Sequence, residues 1–443
     1  MSSSAITIAI AILRSPLRRL VLMGWVVGWV VLGSAVMACA HAQQPVAQAI
    51  PAPQAQPAQQ SLAPPPPPAW MQGRPEAMKS LTHAPHAPGL TAKAPADIKL
   101  DKIKLPPGFS IELWAAGLSN ARSIALGAKG TVFVGTRLLD TVYAVTEKDG
   151  KRQVKALLKG LYRPNGVAFH GGALYVAELS RILRYDNIEE SLDNPPKPVV
   201  VFDALPKDEH HGWKYLAVGP DGALYFNIGA PCNSCVPLDT HAQIVRVDPK
   251  TGVLETFAKG VRNSMGMAFH PLTKDLWFTH HARDWMGDDL PNDTLHRAGR
   301  KGAHFGYPYC HQGDIPDADL GIGRACAEFA PPVHKLGAHV APMGLRFYNG
   351  KMFPAEFRNR IILATHGSWN KSVRAGFNLM QVTLDAQGQG PGKVLKYEPF
   401  AEGWADADSH WGRPVDVQVM PDGALLVSDD LAGALYRISY KGK

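Results

Sequence analysis

One phrase recurs six times along this chain: a turn bearing Gly or Asp, a short run of β-branched, aromatic or aliphatic residues, and a polar or glycine-bearing exit. It stands at Gly130-Thr-Val-Phe-Val-Gly135, Gly172-Ala-Leu-Tyr-Val-Ala177, Gly222-Ala-Leu-Tyr-Phe-Asn227, Asp275-Leu-Trp-Phe-Thr279, Arg360-Ile-Ile-Leu-Ala364 and Gly423-Ala-Leu-Leu-Val-Ser428. A second β-type run often precedes the turn, as in Gly166-Val-Ala-Phe169, Met265-Gly-Met-Ala-Phe269 and Val415-Asp-Val-Gln-Val419. Fixed self-similarity of this kind marks repeat architectures, and six copies predict an all-β, six-bladed β-propeller. Two β-sandwiches side by side would space strands evenly without a six-fold phrase. With 42 Gly and 37 Pro, the chain also has the turn residues that many short strands require.

A propeller gathers equivalent strand exits on one face around its axis, and connecting segments on a rigid scaffold are where function sits. The exits here are Thr136-Arg137, Glu178, Ile228-Gly-Ala-Pro231, His280-His281, His366-Gly-Ser-Trp369 and Asp429-Asp430. Any one of them alone reads as surface; six sets focused on one mouth make a site.

Arg14, Arg18 and Arg19 precede an uncharged run from Leu20 to Ala38, and Ala40-His41-Ala42 supplies small residues for cleavage, so residues 1–42 are expected as a signal peptide. A membrane anchor is the competing reading, because the run approaches spanning length. Residues 43–98 are rich in Pro, Ala and Gln, including Pro64 to Pro68, and predict a disordered tether. Residues 99–443 then form the propeller. Export makes the protein periplasmic or secreted, or an outer-envelope lipoprotein if Cys39 carries a lipid, the one route to membrane attachment. The formal charge of +8 drops further once the three signal arginines leave, and no Lys/Arg cluster interleaved with aromatics is present, which excludes a nucleic-acid partner.

Four cysteines remain beyond Cys39: Cys232, Cys235, Cys310 and Cys326. An even set in an oxidising compartment predicts two disulfides, and proximity pairs Cys232 with Cys235 and Cys310 with Cys326, one of three connectivities. No βαβ pattern surrounds the Cys-x-x-Cys, and Val236 rather than His follows it, against a redox motif and against covalent haem.

The segment Asp208-Glu-His-His-Gly-Trp-Lys214 leads into the strand Tyr215 to Val218 and Gly219-Pro-Asp-Gly222. A histidine before a strand at the channel mouth suits a general base near working pH, although a lone histidine is more often a surface group. Together with Gly260-Val-Arg-Asn-Ser-Met-Gly266, Asp284-Trp-Met-Gly-Asp-Asp-Leu-Pro-Asn-Asp293, His304-Phe-Gly-Tyr-Pro-Tyr-Cys310, His366-Gly-Ser-Trp-Asn370 and Gly412-Arg-Pro-Val-Asp416, it resembles the soluble quinoprotein sugar dehydrogenases, and most of all their sorbosone dehydrogenase branch. The likeness runs from about residue 100 to 441, with several motifs in order.

The resemblance implies oxidation of a sugar, aldose or sorbosone-like aldehyde by hydride transfer to pyrroloquinoline quinone (PQQ), with an external electron acceptor. It puts the general base on His211, cofactor contacts on Arg262, Asn263 and Arg413, with Lys371 or Arg374 near a cofactor lysine, and calcium on the main-chain oxygens of Ala282 and Arg283. His339, Trp369 and Tyr309 are candidates for the substrate pocket, with Trp411. A cofactor with three carboxylates calls for fixed guanidinium donors, and a hard cation for oxygen ligands. Two departures stand out: His280-His281-Ala282 replaces an expected acidic or amide residue followed by glycine, and Val415 replaces a second arginine. The alternatives are a metal-dependent sugar lactonase of the gluconolactonase type, with Glu178, Asn165 and Asp429 in a metal cage, and a non-catalytic envelope propeller that binds polysaccharide or protein.

Overall fold

A computed structural model describes residues 67–385, 392–407 and 409–442. The expected signal peptide, Cys39 and the tether as far as residue 66 lie outside the described residues. Six antiparallel sheets follow one another as blades. The first runs through Ala121–Leu126, Val132–Thr136, Val142–Lys148 and Lys151–Leu158, and each later blade repeats that meander outward from the axis. Every one of the six phrases contributes the second strand of a blade, and these strands, such as Val132–Thr136 and Ile361–Thr365, are buried along their whole length. Blades stack face to face, so both surfaces of an inner strand are covered, and a continuous apolar run fits there where strict alternation would not. By contrast the outermost strand Lys151–Leu158 begins with four exposed residues.

The ring is closed by the chain ends: Phe109–Ala116 pairs with Ala434–Tyr440 as the outer strand of the last blade. Phe109 seals that seam against Phe353, Phe357, Phe400 and Tyr440, with ring centroids 4.7–5.3 Å apart. Near the axis the innermost strands approach so closely that side chains are excluded: a Cβ on Gly344 would overlap the Asp416 carboxylate. That carboxylate plugs the channel, accepting from Ile124 N at 2.9 Å and from Tyr215 Oη at 3.1 Å, with Arg346 at 3.7 Å.

The fourth blade carries a long insertion between Asn292–Ala298 and His334–Ala338, held by the Cys310–Cys326 disulfide; Cys232 bonds Cys235, so the pairing by proximity is the one formed. Residues 67–98 depart from the expected tether. They form 3-10 turns at Ala69–Met71, Glu76–Met78 and Pro95–Asp97, and bond to the propeller at Asn233, Ser368, Asn120 and Ala432. Composition could not signal this, because the contacts are made by a few residues, Trp70, Gln72 and His86, scattered in a proline-rich frame. Among the described residues no helix is long and apolar enough to cross a membrane.

Candidate active site

At the end of the channel where the second strands exit lies a cavity of about 450 Å³. The sequence-level focus on exits holds for Arg137, His281, His366, Gly367 and Trp369, which all line it. Glu178 does not: it caps Tyr162 N at 2.7 Å and pairs with Arg181.

His211 sits in the cavity wall in the left-handed backbone region, φ +53°. It fits because residue 229 is glycine; a Cβ there would stand 2.5 Å from the His211 Cβ. Its Nδ1 donates to the Ala230 carbonyl at 2.8 Å. A carbonyl only accepts, so Nδ1 carries the proton and Nε2 keeps its lone pair, the tautomer a base requires. Burial, then the neighbouring His210 and Arg262, hold the imidazole well below its usual value, so it is neutral at pH 7. His210, ring centroid 3.9 Å away, is pushed down to about 4 by burial and Arg262, and its Nε2 is buried with no hydrogen-bond partner among the described residues.

Four guanidinium groups face this space, and they differ in how far they are already satisfied. Arg262 is tied down: Nε donates to Asn233 O at 2.8 Å, Nη2 to Asn233 Oδ1 at 2.9 Å and to Asp284 Oδ2 at 3.0 Å, and Nη1 to Ala282 O at 2.7 Å. Arg122 pairs with Asp430 at 2.8 Å and with Asn165 at 3.0 Å. Arg413 donates to the carbonyls of His366 and Gly367 at 3.0 and 3.1 Å, but its side chain meets no carboxylate. Arg137 makes no side-chain hydrogen bond among the described residues; its guanidinium lies 4.6 Å over the Trp213 ring. Burial, followed by the charge of Arg122, lowers Arg137 to about 10; burial also lowers Arg413 to about 10, with Arg122 adding to it and Asp430 opposing. Asp430 acts on Arg122, Arg137 and Arg413 together but bonds only Arg122, so these guanidinium groups leave an excess of positive charge that an anion would relieve.

Asn263 completes the wall. Its Nδ2 donates to His281 Nδ1 at 3.3 Å, and His281 Nε2 donates to Pro342 O at 2.6 Å, so the second histidine of the pair is fixed as a neutral ring, held near 4 by burial. Asp293 accepts from the amides of Ala282 and Ala341, both at 2.8 Å, and burial raises its carboxyl to about 6.

Thus His211, Arg262, Asn263, Arg413, Ala282, His339 and Trp369 are brought to one cavity. Lys371, Arg374, Arg283, Tyr309 and Trp411 are not among its lining. Lys371 reaches the Asp288 carbonyl at 2.7 Å, Arg374 the Ala407 carbonyl at 2.8 Å, and Arg283 the Asp317 carboxylate at 2.6 Å. Tyr309 stacks on Phe329 in the disulfide-held insertion, beneath Arg324. The calcium expectation also weakens on donor chemistry. Ala282 O already accepts from Arg262, and no group of three or more His, Cys, Asp or Glu able to hold a metal exists among the described residues. A hard cation takes about six to eight oxygens; of the two expected main-chain oxygens, that of Ala282 is engaged by Arg262.

Several residues of the cavity were missed by sequence reasoning, Arg137 and Asn233 among them. Arg137 was visible only as a strand exit. Asn233, inside Cys232-Asn-Ser-Cys235, holds Arg262 and accepts from Asp284 N at 2.8 Å, so the disulfide loop is a brace for the cavity. Its signal was the Cys-x-x-Cys itself, read as a disulfide and not for what lies between the cysteines.

Fold and cavity together define a six-bladed propeller with a cationic, imidazole-bearing pocket at one mouth. The TrAA12-like family matches residues 103–441, and the chain belongs to that family. An uncharacterized protein of Borreliella burgdorferi is 30% identical over 354 residues, 76% of this chain and 91% of its own length. Among solved structures, the holo form of the pyranose dehydrogenase PQQ domain from Coprinopsis cinerea superimposes with a TM-score of 0.67 at 16% identity, covering 76% of this chain and 97% of that one. A calcium structure of the Trichoderma reesei Carbohydrate-Active Enzymes Family AA12 protein gives 0.66 at 18% identity, covering 76% and 97%. At these identities the structural likeness carries the fold.

Proposed function

We propose that this chain is a quinoprotein dehydrogenase that oxidises a sugar, an aldose or a sorbosone-like aldehyde. The observation that carries the reading is a base-competent His211 Nε2 in the same cavity as two guanidinium groups, the half-buried Arg137 and the buried Arg413, whose side chains hydrogen-bond no carboxylate among the described residues. A flat tricarboxylate fits that deficit: Arg137 and Arg413 would hold carboxylates, while Arg262 and Asn263, already immobilised, would present donors to its ring oxygens. Family membership and the PQQ-binding relative support the same choice.

When bound, PQQ would supply the hydride acceptor, and an external electron acceptor would restore its oxidised form. His211 takes the proton of the substrate hydroxyl, or of a hydrated aldehyde, whose carbon gives up the hydride. The Ala230 carbonyl holds the ring in the required tautomer and favours the imidazolium that forms. Arg262 stands beside the wall to meet negative charge developing during transfer. Trp213, under Arg137, keeps that guanidinium oriented while closing the pocket to water. An exported location agrees with the two disulfides.

The test is reconstitution of the purified protein with PQQ, with and without calcium, followed by dye reduction across a panel of aldoses. Dye reduction that disappears in His211→Gln while quinone binding persists is the expected result. Lactone hydrolysis without quinone would overturn it in favour of the lactonase. Glu178, Asn165 and Asp429 give that chemistry no support, since Glu178 pairs with Arg181, Asn165 accepts from Arg122, and Asp429 accepts from the Arg413 amide at 2.9 Å.

A further inference from the structure

The family match begins at residue 103, yet the cavity has a wall made upstream of it: Trp70, Ala84, Pro85 and His86 all line the space that holds His211. This wall is fastened at several points. Trp285 Nε1 donates to Trp70 O at 2.6 Å, Asn233 Nδ2 to Gln72 O at 2.7 Å, and His86 Nε2 to Ser368 O at 2.8 Å. Farther on, Asn120 Nδ2 donates to Gly89 O at 3.2 Å, and Lys93 N to Ala432 O at 2.9 Å. The segment therefore crosses the mouth and is anchored on both sides of it. One anchor, Asn233, is the residue that holds Arg262, so wall and cationic pocket share a brace.

Three indoles meet where the wall enters. Trp70 lies edge-on to Trp369, centroids 5.7 Å apart at 85°, and tilted against Trp285 at 6.4 Å. Trp285 is buried and covered by Arg74, 4.7 Å above its ring, and does not line the cavity; Trp70 and Trp369 are half-buried and do. Half-buried indole faces beside a polar pocket are poor company for water and good company for the C–H face of a pyranose, whose hydroxyl rim can turn to polar groups such as Asp293 and His86 in the same lining.

We propose that Trp70 and the segment to His86 form the substrate-specifying wall of this enzyme: Trp70 stacks one sugar ring, and the anchored segment bars the cavity to longer saccharides, restricting turnover to single sugar units. The inference rests on the dehydrogenase reading above. A cavity of about 450 Å³ that also seats a tricyclic cofactor leaves space for a ring and little for a chain.

The test uses the mature chain and its Trp70→Ala and Trp70→Phe variants, loaded with PQQ, with D-glucose and maltotriose as substrates. Quinone affinity is measured separately. Wild type is expected to prefer glucose. Trp70→Ala raises KM for glucose about tenfold with kcat little changed, and shrinks the glucose-to-maltotriose ratio of kcat/KM by about the same factor, while Trp70→Phe restores most of both. As a readout apart from turnover, glucose titrated into quinone-free protein changes tryptophan fluorescence, with an apparent affinity about tenfold weaker in Trp70→Ala. Unchanged KM, ratio and fluorescence affinity in Trp70→Ala overturn the wall while the dehydrogenase reading stands. A quinone-loaded wild type that oxidises no aldose overturns that reading itself, and the wall with it.

Discussion

The channel through this propeller ends in two cavities of the same size, about 450 Å³ each, and they could hardly differ more in chemistry. At one end the second strands leave the blades and loops bring in four arginines and a set of neutral imidazoles. At the other end the last residues of the first strands bring in Leu126, Phe169, Val218, Phe269, Phe347 and Val419, with Arg346, Asn349 and Gln418 as polar company. Between them stands the Asp416–Tyr215–Arg346 cluster. Identical architecture thus yields a cationic, imidazole-lined mouth and a largely aliphatic and aromatic one. Long connections vary freely at the first, whereas the strand ends at the second must keep the blades packed.

Sharpest is the expectation for His211 and its counterpart at the plug. His211→Gln lowers kcat by about 10³-fold with stability unchanged, read by dye-linked kinetics and thermal melts. Arg346→Met, at the plug, leaves quinone affinity and kcat alone but destabilises the fold by about 3–5 kcal/mol in chemical denaturation, because the buried Asp416 loses its cation. If Arg346→Met instead abolished quinone binding, the two ends would not be functionally separate.

Next in size is Arg137→Ala, expected to weaken PQQ binding by about 1.5–3 kcal/mol, measured by calorimetry on the quinone-free protein. The same change removes a half-buried cation that hydrogen-bonds no carboxylate among the described residues, so the melting temperature of that protein does not fall, an outcome that a merely structural arginine would not give.

Smallest per pH unit for each group is the response to acid. His210, His281 and His296 are pushed by burial to about 4, 4 and 3, and His211, His280 and His366 lie well below 6.5. Between those values and 6.5 the unfolded chain takes up protons that the folded one refuses, so stability falls as pH falls from about 6.5 toward 4, by up to ~1.4 kcal/mol per pH unit for each group. Carboxylates such as Asp317 and Asp430, held far below their usual range by ion pairs and hydrogen bonds despite burial, add their loss only at still lower pH. Bound quinone should reduce the acid sensitivity, since its carboxylates ease protonation at the cationic mouth and not at the other. A melting-temperature series with and without PQQ checks this.

What the residues announced on their own was local. Strand phrases such as Gly222-Ala-Leu-Tyr-Phe-Asn227 carry their own turn chemistry and their own burial, so the six blades were countable without coordinates, and the two disulfides followed from spacing. The His211 segment was legible because its neighbours are contiguous. Which cations face the cavity was legible only in part: the resemblance pointed to Arg262 and Arg413, which line it, but not to Arg137, and it also pointed to Lys371 and Arg374, which are drawn to nearby carbonyls. Nor could composition reveal that Trp70 lies against Trp285 and Trp369, hundreds of residues away, since a proline-rich stretch looks the same whether or not three of its side chains find partners. Short-range sterics and burial fix strands within a few residues, whereas the contents of a pocket depend on ring closure, which brings distant segments together only after every blade is in place.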